Sequence, residues 1–146
     1  MYHCIKRGGA MEVYYKQDYT KEQINEVLNK IKDCIINNNY TISLNRNRQE
    51  NIKFINEYNI RSVKQKNILL SIKVEDFCYT LQNIKIGYEH EVLYVFVPQV
   101  KLFNADDIEE MVNVYIKFNL IDKSNENYAV VISFHRLNKP INYKFK

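Results

Sequence analysis

Three side chains near the end of the chain could together cleave a phosphodiester bond. Tyr115 and Lys117 lie two residues apart in a stretch that alternates apolar and polar residues, and His135 ends the next such stretch. Residues two apart on a β-strand project from the same face, which places a phenol beside an ammonium. If Phe134 points into the core, an antiparallel hairpin of the two stretches adds the imidazole to that solvated face.

These groups suit RNA cleavage without a metal. The reaction needs a base for the ribose 2′-OH, an acid for the leaving 5′-oxygen and a cation for the charge on the phosphorane. Histidine can act as acid or base near neutral pH, and lysine and arginine can hold phosphate. Arg136 follows His135 directly and adds a second cation. Tyrosine can stack on a base or donate a hydrogen bond.

Plainer interpretations compete with this one. A tyrosine and a lysine on an exposed strand face most often only keep the protein soluble, and a histidine at a strand end is more often a surface residue than a catalyst. The sequence contains no Gly-rich phosphate loop and no CxxC pair, and His90 has no third ligand at a metal-like spacing. We therefore expect neither a metal site nor a cofactor.

Composition predicts an ordinary folded domain with locally basic regions. The chain has 146 residues, of which 46% are hydrophobic and 26% charged, with a net charge of +4. Residues 42–73 contain seven basic and two acidic side chains, and residues 128–146 contain four basic and none acidic. Such clusters attract phosphate backbones. No apolar run approaches the roughly 20 residues of a membrane span. Three widely spaced cysteines and the lack of a signal sequence predict a reduced, cytoplasmic protein.

Helical periodicity occupies the first half of the chain. Thr20 is placed to cap a helix whose apolar residues recur from 24 to 35 at helical spacing. A second helix is predicted over residues 47–58. Ser62 with Gln65 fits a capping box for a third helix. Residues 1–10 are expected to form a flexible lead-in.

Strand periodicity occupies the second half. A short strand is predicted at residues 40–44, a central strand at 92–100, a half-buried strand at 112–120 and a last strand at 128–135, with a polar loop at 121–127. Helices followed by strands predict one α+β domain over residues 1–146. Its N-terminal helices would pack on a C-terminal antiparallel sheet of three or more strands.

Several segments, in order, resemble the motility quorum-sensing regulator (MqsR) family of toxins. They are residues 51–60, residues 68–72 followed by 74–77, Val114 to Lys117, Ile132 to His135 and the tail 139–146. The similarity is collinear over residues 45–146. It departs from the family at three places. Residues 97–99 and residues 78–80 lack a lysine that relatives carry, and residues 101–111 look like an insertion.

The resemblance implies a RelE-like fold and an mRNA-cleaving toxin of a type II toxin–antitoxin system. Such a toxin cleaves single-stranded mRNA without a metal and is neutralised by a cognate antitoxin. Matched to the family's strands, His135 would be the general acid or base, Lys117 a phosphate ligand and Tyr115 a substrate contact or an orienting group. Arg136 and Tyr79, which lies in an expected turn after Phe77, would bind RNA.

Two other functions fit the same residues. A non-catalytic module, such as an inhibitor encoded by a mobile element, could use the same sheet face to bind a protein or a nucleic acid. A DNA-binding regulator could use the third helix, since residues 61–73 are basic, although the sequence shows no second helix packed across a Gly-containing turn.

Overall fold

Strands as well as helices occur in the N-terminal half of this protein. The computed structural model describes residues 2–7, 11–83, 86–87, 90–123 and 125–146. The helices in these residues are α1 (Lys21–Ile36), α2 (Gln49–Glu57) and α3 (Ser62–Leu70). The strands are β1 (Tyr2–Arg7), β2 (Met11–Lys16), β3 (Tyr40–Ile42), β4 (Phe77–Asn83), β5 (Val92–Phe96), β6 (Gln99–Phe103), β7 (Glu109–Lys123) and β8 (Glu126–Arg136).

Seven of these strands lie side by side in the order β1-β2-β4-β5-β7-β8-β3, and β6 pairs with β7. All pairs are antiparallel except β3 with β8. The predicted α+β class with a mainly antiparallel sheet is confirmed. The predicted order is wrong, because β1 and β2 precede the helices and make the sheet wider. Of the expected lead-in, residues 2–7 form β1, whereas residues 1 and 8–10 lie outside the described residues.

The first helix forms as its sequence predicts. The Gln23 backbone N–H donates to the Thr20 hydroxyl at 3.1 Å, and the Thr20 N–H donates to the Gln23 side chain at 2.8 Å. This reciprocal capping satisfies two backbone groups that a helix start leaves without partners. The apolar stripe of α1 is buried against the sheet, with Ile24, Leu28 and Ile31 almost fully covered.

The capping box predicted for the third helix is absent. The helix begins at Ser62 itself, so Arg61 takes the N-cap position and makes no side-chain capping bond. The Gln65 amide instead donates back to the Ile60 carbonyl at 2.9 Å. Because α3 begins one residue earlier than the capping-box pattern requires, Ser62 is the first residue of the helix and not its cap.

The strand predicted at residues 92–100 is present but divided into β5 and β6. Phe96 pairs with Ile116 of β7. Gln99, three residues later, pairs with Asn113, which is three residues earlier in β7. The register is therefore continuous across the gap. Pro98 lacks a backbone N–H, which interrupts the hydrogen-bond ladder at that point.

The β7–β8 hairpin is longer than predicted. The strands pair as far as Lys123 with Glu126, so most of the loop expected at residues 121–127 belongs to the strands. Residues 78–80, expected as a turn, lie within β4, which places Tyr79 in the sheet. No proline or glycine marks the β7–β8 turn or the start of β4 in the sequence.

Both faces of the sheet are covered. The helices bury the inner face, where Val112, Val114, Ile116 and Phe118 of β7 join the main core and Leu120 packs against it. This confirms the predicted apolar side of β7. The outer face carries a second apolar cluster, which includes Tyr79, Val95 and Tyr115 and is covered in part by residues of the C-terminal tail, 137–146.

Candidate active site

The predicted pairing of Tyr115 with His135 is present at the end of the β7–β8 hairpin. The two residues are direct cross-strand partners, and their rings stack at 5.4 Å between centroids with an interplanar angle of 18°. Lys117, opposite Ser133, lies on the same face as Tyr115 because it is two residues along the strand. The hairpin therefore brings the three predicted groups to one side of the sheet.

That side is not open at the tyrosine. Tyr115 is only 2% exposed, and its hydroxyl shares a 3.1 Å hydrogen bond with the hydroxyl of Tyr79. The Lys139 ammonium lies 4.6 Å from the centre of the Tyr115 ring. The expectation of a solvated face is wrong here, because alternation identifies the second face of a strand but not what covers it.

The C-terminal tail forms this cover. It crosses the outer face from β8 towards β4 without regular secondary structure. The Tyr143 hydroxyl donates to the Val97 carbonyl at 2.7 Å, and the Lys144 N–H donates to the Phe77 carbonyl at 3.0 Å. These contacts with β4 and the end of β5 fix the tail across the middle of the sheet.

His135 lies at the edge of the covered region, with 13% of its side chain exposed. Its Nδ1 is 2.9 Å from the Arg136 carbonyl oxygen and 3.6 Å from a carboxylate oxygen of Glu50. Both oxygens only accept hydrogen bonds, so the neutral imidazole carries its proton on Nδ1 and leaves Nε2 as the acceptor. The Asn138 amide donates to the same Glu50 oxygen at 2.7 Å and steadies the carboxylate.

A pocket of about 150 Å³ lies beside this imidazole. Its wall is formed by His135, by Arg46 and Arg48 of a 3₁₀ turn, and by the first residues of α2. Arg48 is the N-cap of α2 and makes no side-chain capping bond. The two arginines in this wall favour an anion such as phosphate, while the Glu50 carboxylate, which lies on the His135 side of the same wall, opposes it.

The sequence places these two arginines in a basic region but does not assign them to a site. The helix predicted over residues 47–58 would contain Arg48, whereas the structure has a 3₁₀ turn over Arg46–Arg48 and begins α2 at Gln49. The position of both arginines in this turn was therefore not predicted.

The end of β8 is held by a buried asparagine. Asn51 is fully buried on α2, and its side-chain oxygen accepts from the Phe134 N–H at 2.8 Å. Its amide nitrogen donates to the carbonyls of Ile132 at 3.0 Å and Ser43 at 2.8 Å. The ladder shifts register here, which makes Ile132 an extra residue on β8. Asn51 therefore satisfies the backbone of a β-bulge three residues before His135.

The sequence carried a signal for this residue. Asn51 stands three and four positions before Phe54 and Ile55, on the buried side of the helix. A lone amide on an apolar stripe indicates a polar group that must find buried partners. Ser43 lies 8 residues away, but the other two partners lie 81 and 83 residues away and are not visible in a local pattern.

Arg136 points away from His135, towards α2. It donates to Glu57 at 3.2 Å and to the hydroxyl of Tyr58, and its guanidinium lies 5.5 Å from the centre of the Tyr58 ring. Consecutive residues of a strand project to opposite faces. Arg136 therefore reaches the C-terminal end of α2, whereas His135 lies beside Glu50 in the first turn of that helix. The Arg136 side chain remains 52% exposed.

Tyr58 connects this cluster to β7. Its hydroxyl donates to a Glu110 carboxylate oxygen at 2.7 Å. Burial and this hydrogen bond raise the pKa of Tyr58 to about 12, against the opposing influence of the Arg136 charge. The unfolded tyrosine ionises near pH 10, so the folded state retains a proton that the unfolded state has lost between about pH 10 and 12.

We therefore expect the free energy of unfolding to fall as the pH rises from about 10 towards 12. The Tyr58→Phe variant should show a shallower fall, since one proton-retaining group is removed. Urea unfolding followed by circular dichroism at pH 9, 10 and 11 measures the slope. Parallel curves for the two proteins would contradict this account of Tyr58.

The fold and the pocket together define an α+β protein with an oriented histidine beside two arginines. No family model, curated protein or solved structure matches the chain. Within the described ranges, no three histidine, cysteine or carboxylate side chains come together as metal ligands. None of the described helices combines the length and apolar character that a membrane crossing requires.

Proposed function

We propose that this protein is an endoribonuclease that cleaves single-stranded mRNA without a metal, through attack of the ribose 2′-OH. The observation that carries the proposal is the orientation of His135. Its Nδ1 faces a carbonyl and a carboxylate, so Nε2 is left to accept a proton, and two arginines lie in the adjoining pocket. An oriented base next to a cationic phosphate site is what the reaction requires.

The proposed reaction proceeds in one displacement at phosphorus. Nε2 of His135 takes the 2′-OH proton while the 2′-oxygen forms a bond to phosphorus. The bond from phosphorus to the 5′-oxygen breaks, and the proton returns through water to that oxygen. The products are a 2′,3′-cyclic phosphate and a 5′-hydroxyl. Arg46 and Arg48 bind the phosphate oxygens, and Glu50 stabilises the imidazolium.

The remaining candidates take different parts. Tyr115 is too buried to contact RNA, so we assign it to positioning the imidazole by stacking beneath it. Lys117, on the same face, is retained as a phosphate ligand. Arg136 is retained as a contact for the flanking RNA backbone through its exposed part. Tyr79, which the sequence assigned to RNA binding, is only 7% exposed and shares a hydrogen bond with Tyr115, so it lies in a neighbouring and largely buried part of the same face.

The biological setting follows from the resemblance of residues 45–146. We propose a RelE-like toxin of a type II toxin–antitoxin system that acts in the cytoplasm and is neutralised by its cognate antitoxin. Helices packed on one face of a mainly antiparallel sheet are compatible with that fold.

The direct test incubates the purified protein with single-stranded RNA in EDTA. We expect discrete fragments at catalytic amounts of protein. Intact RNA after incubation with an equimolar amount of folded protein would contradict the proposal.

Alanine at Arg46 or Arg48 should weaken RNA binding. Each variant removes a phosphate ligand, so the plot of log affinity against log salt concentration should become shallower by about 0.7. Binding of an uncleavable 2′-O-methyl RNA at several salt concentrations measures this slope. Lys53→Ala is the matched control, because Lys53 is an exposed cation on α2 that does not line the pocket. Equal slopes for all of these proteins would argue against the pocket as the phosphate site.

A non-catalytic binding module is the second candidate. Two observations favour it: the tail covers Tyr115, and only 13% of the His135 side chain is exposed. RNA binding that depends on Arg46 and Arg48, without any cleavage, would support this candidate over the nuclease.

A further inference from the structure

A second groove lies on the outer face of the sheet, on the far side of Tyr115 from the His135 pocket. Its volume is about 310 Å³. Tyr15 of β2, Tyr79 of β4 and Gln17 form one wall, and residues 139–142 of the tail form the other. The groove is therefore built by the same tail that covers the candidate active site.

Its walls suit a flat aromatic ring. The Tyr15 ring meets the Tyr79 ring edge-on, with 4.6 Å between centroids and an interplanar angle of 84°. Pro140 and Ile141 supply apolar surface from the tail side. A planar group that enters between them contacts a tyrosine ring on one side and aliphatic groups on the other, as bases do on single-strand binding proteins.

Gln17 supplies a polar group at the base of the slot. Its amide nitrogen donates to the carbonyls of Cys78 at 2.9 Å and Asn142 at 3.4 Å, which fixes the orientation of the amide. Its side-chain oxygen has no partner among the described residues and can accept a hydrogen bond. The exocyclic amino groups of adenine, cytosine and guanine are suitable donors.

The groove is connected to His135 by a series of aromatic contacts. The hydroxyl of Tyr79 lies 3.1 Å from that of Tyr115, and Tyr115 stacks on His135. The Lys139 ammonium lies over the Tyr115 ring, at 4.6 Å from its centre, and so places a positive charge between the two sites. A nucleic acid strand that crosses this face meets an aromatic slot, a cation and an imidazole in turn.

We infer that the groove seats one unpaired base of a single-stranded RNA whose backbone enters the His135 pocket. The inference rests on the proposed function, because it adds a base subsite to the same substrate. The combination of stacking surface, amide acceptor and intervening ammonium favours a nucleotide over a purely apolar ligand, which would leave the Gln17 oxygen unused.

The test measures binding of an uncleavable 2′-O-methyl RNA and of a series in which one base at a time is removed. Tyr15→Ala should weaken binding of the complete RNA by about tenfold, since stacking on one base is lost. Tyr15→Phe keeps the ring and should bind within about twofold of the wild type. One abasic position should weaken wild-type binding by a similar factor and have no further effect on Tyr15→Ala.

Thermal unfolding shows whether Tyr15→Ala remains folded, and Gln17→Leu provides a second variant on the same groove. The inference would be overturned if Tyr15→Ala lost the same factor of affinity for every abasic RNA. It would also be overturned if both variants bound RNA as tightly as the wild type, or if the protein bound no RNA at all. The readout is independent of cleavage. Base-dependent binding without cleavage would support this subsite and contradict the nuclease proposal. Cleavage that Tyr15→Ala does not affect would support the nuclease and contradict the subsite.

Discussion

Asn51→Ala is expected to lower the free energy of unfolding by roughly 3 kcal/mol. The substitution leaves the Phe134 N–H and the Ile132 and Ser43 carbonyls without their side-chain partner in a region where Asn51 is fully buried. Buried backbone groups that lose their hydrogen bonds retain the full cost of desolvation. Because the bulge at Ile132 precedes His135, the imidazole should also lose its fixed position.

Urea unfolding at neutral pH measures the loss of stability. Asn56→Ala is the matched control, since Asn56 is an exposed asparagine on the same helix. It should unfold within about 0.5 kcal/mol of the wild type. Equal stability for the two variants would show that Asn51 does not hold the end of β8.

His135→Gln is expected to reduce RNA cleavage by about a hundredfold or more, while the protein stays folded and continues to bind RNA. Glutamine has a similar size and can still pack against Tyr115, but it cannot take up a proton near neutral pH. A rate measured under single-turnover conditions separates this loss of chemistry from a loss of binding.

His90→Ala is the control for this variant. His90 is exposed and lies outside the pocket, so its removal should leave the cleavage rate unchanged. If His135→Gln cleaves as fast as the wild type, His135 is not the general base. If both variants lose activity equally, the loss reflects the preparation rather than the site.

The elements that the sequence predicted well depend on local patterns. The apolar stripe of α1 and its Thr20–Gln23 cap lie within one short segment, and the alternation along β7 extends over nine residues. Of the strands that it missed, β1 pairs with β2 as a local hairpin, whereas β2 and β4 pair with each other across more than 60 residues. Their stability comes from this pairing and from cover by the tail, which no window of a few residues records.

Local patterns likewise predicted only part of the candidate site. The alternation of residues 112–120 and 128–135 was enough to predict that Tyr115 and His135 share a face. It did not predict the burial of Tyr115, because residues 137–146 reach it through irregular backbone. It also did not predict the proximity of Arg46 and Arg48 to His135. That proximity depends on the parallel pairing of β3 with β8, which brings the following turn to the end of the hairpin.

The central claim is that a ribose 2′-hydroxyl attacks phosphorus beside His135. Its most direct measurement uses an RNA that the protein cuts at one site and a copy with a single 2′-deoxy sugar immediately 5′ of the scissile phosphate, both in EDTA. We predict 2′,3′-cyclic phosphate and 5′-hydroxyl ends from the first RNA and no cut at that site in the second. A 5′-phosphate end, or equal cleavage of the deoxy copy, would contradict the account.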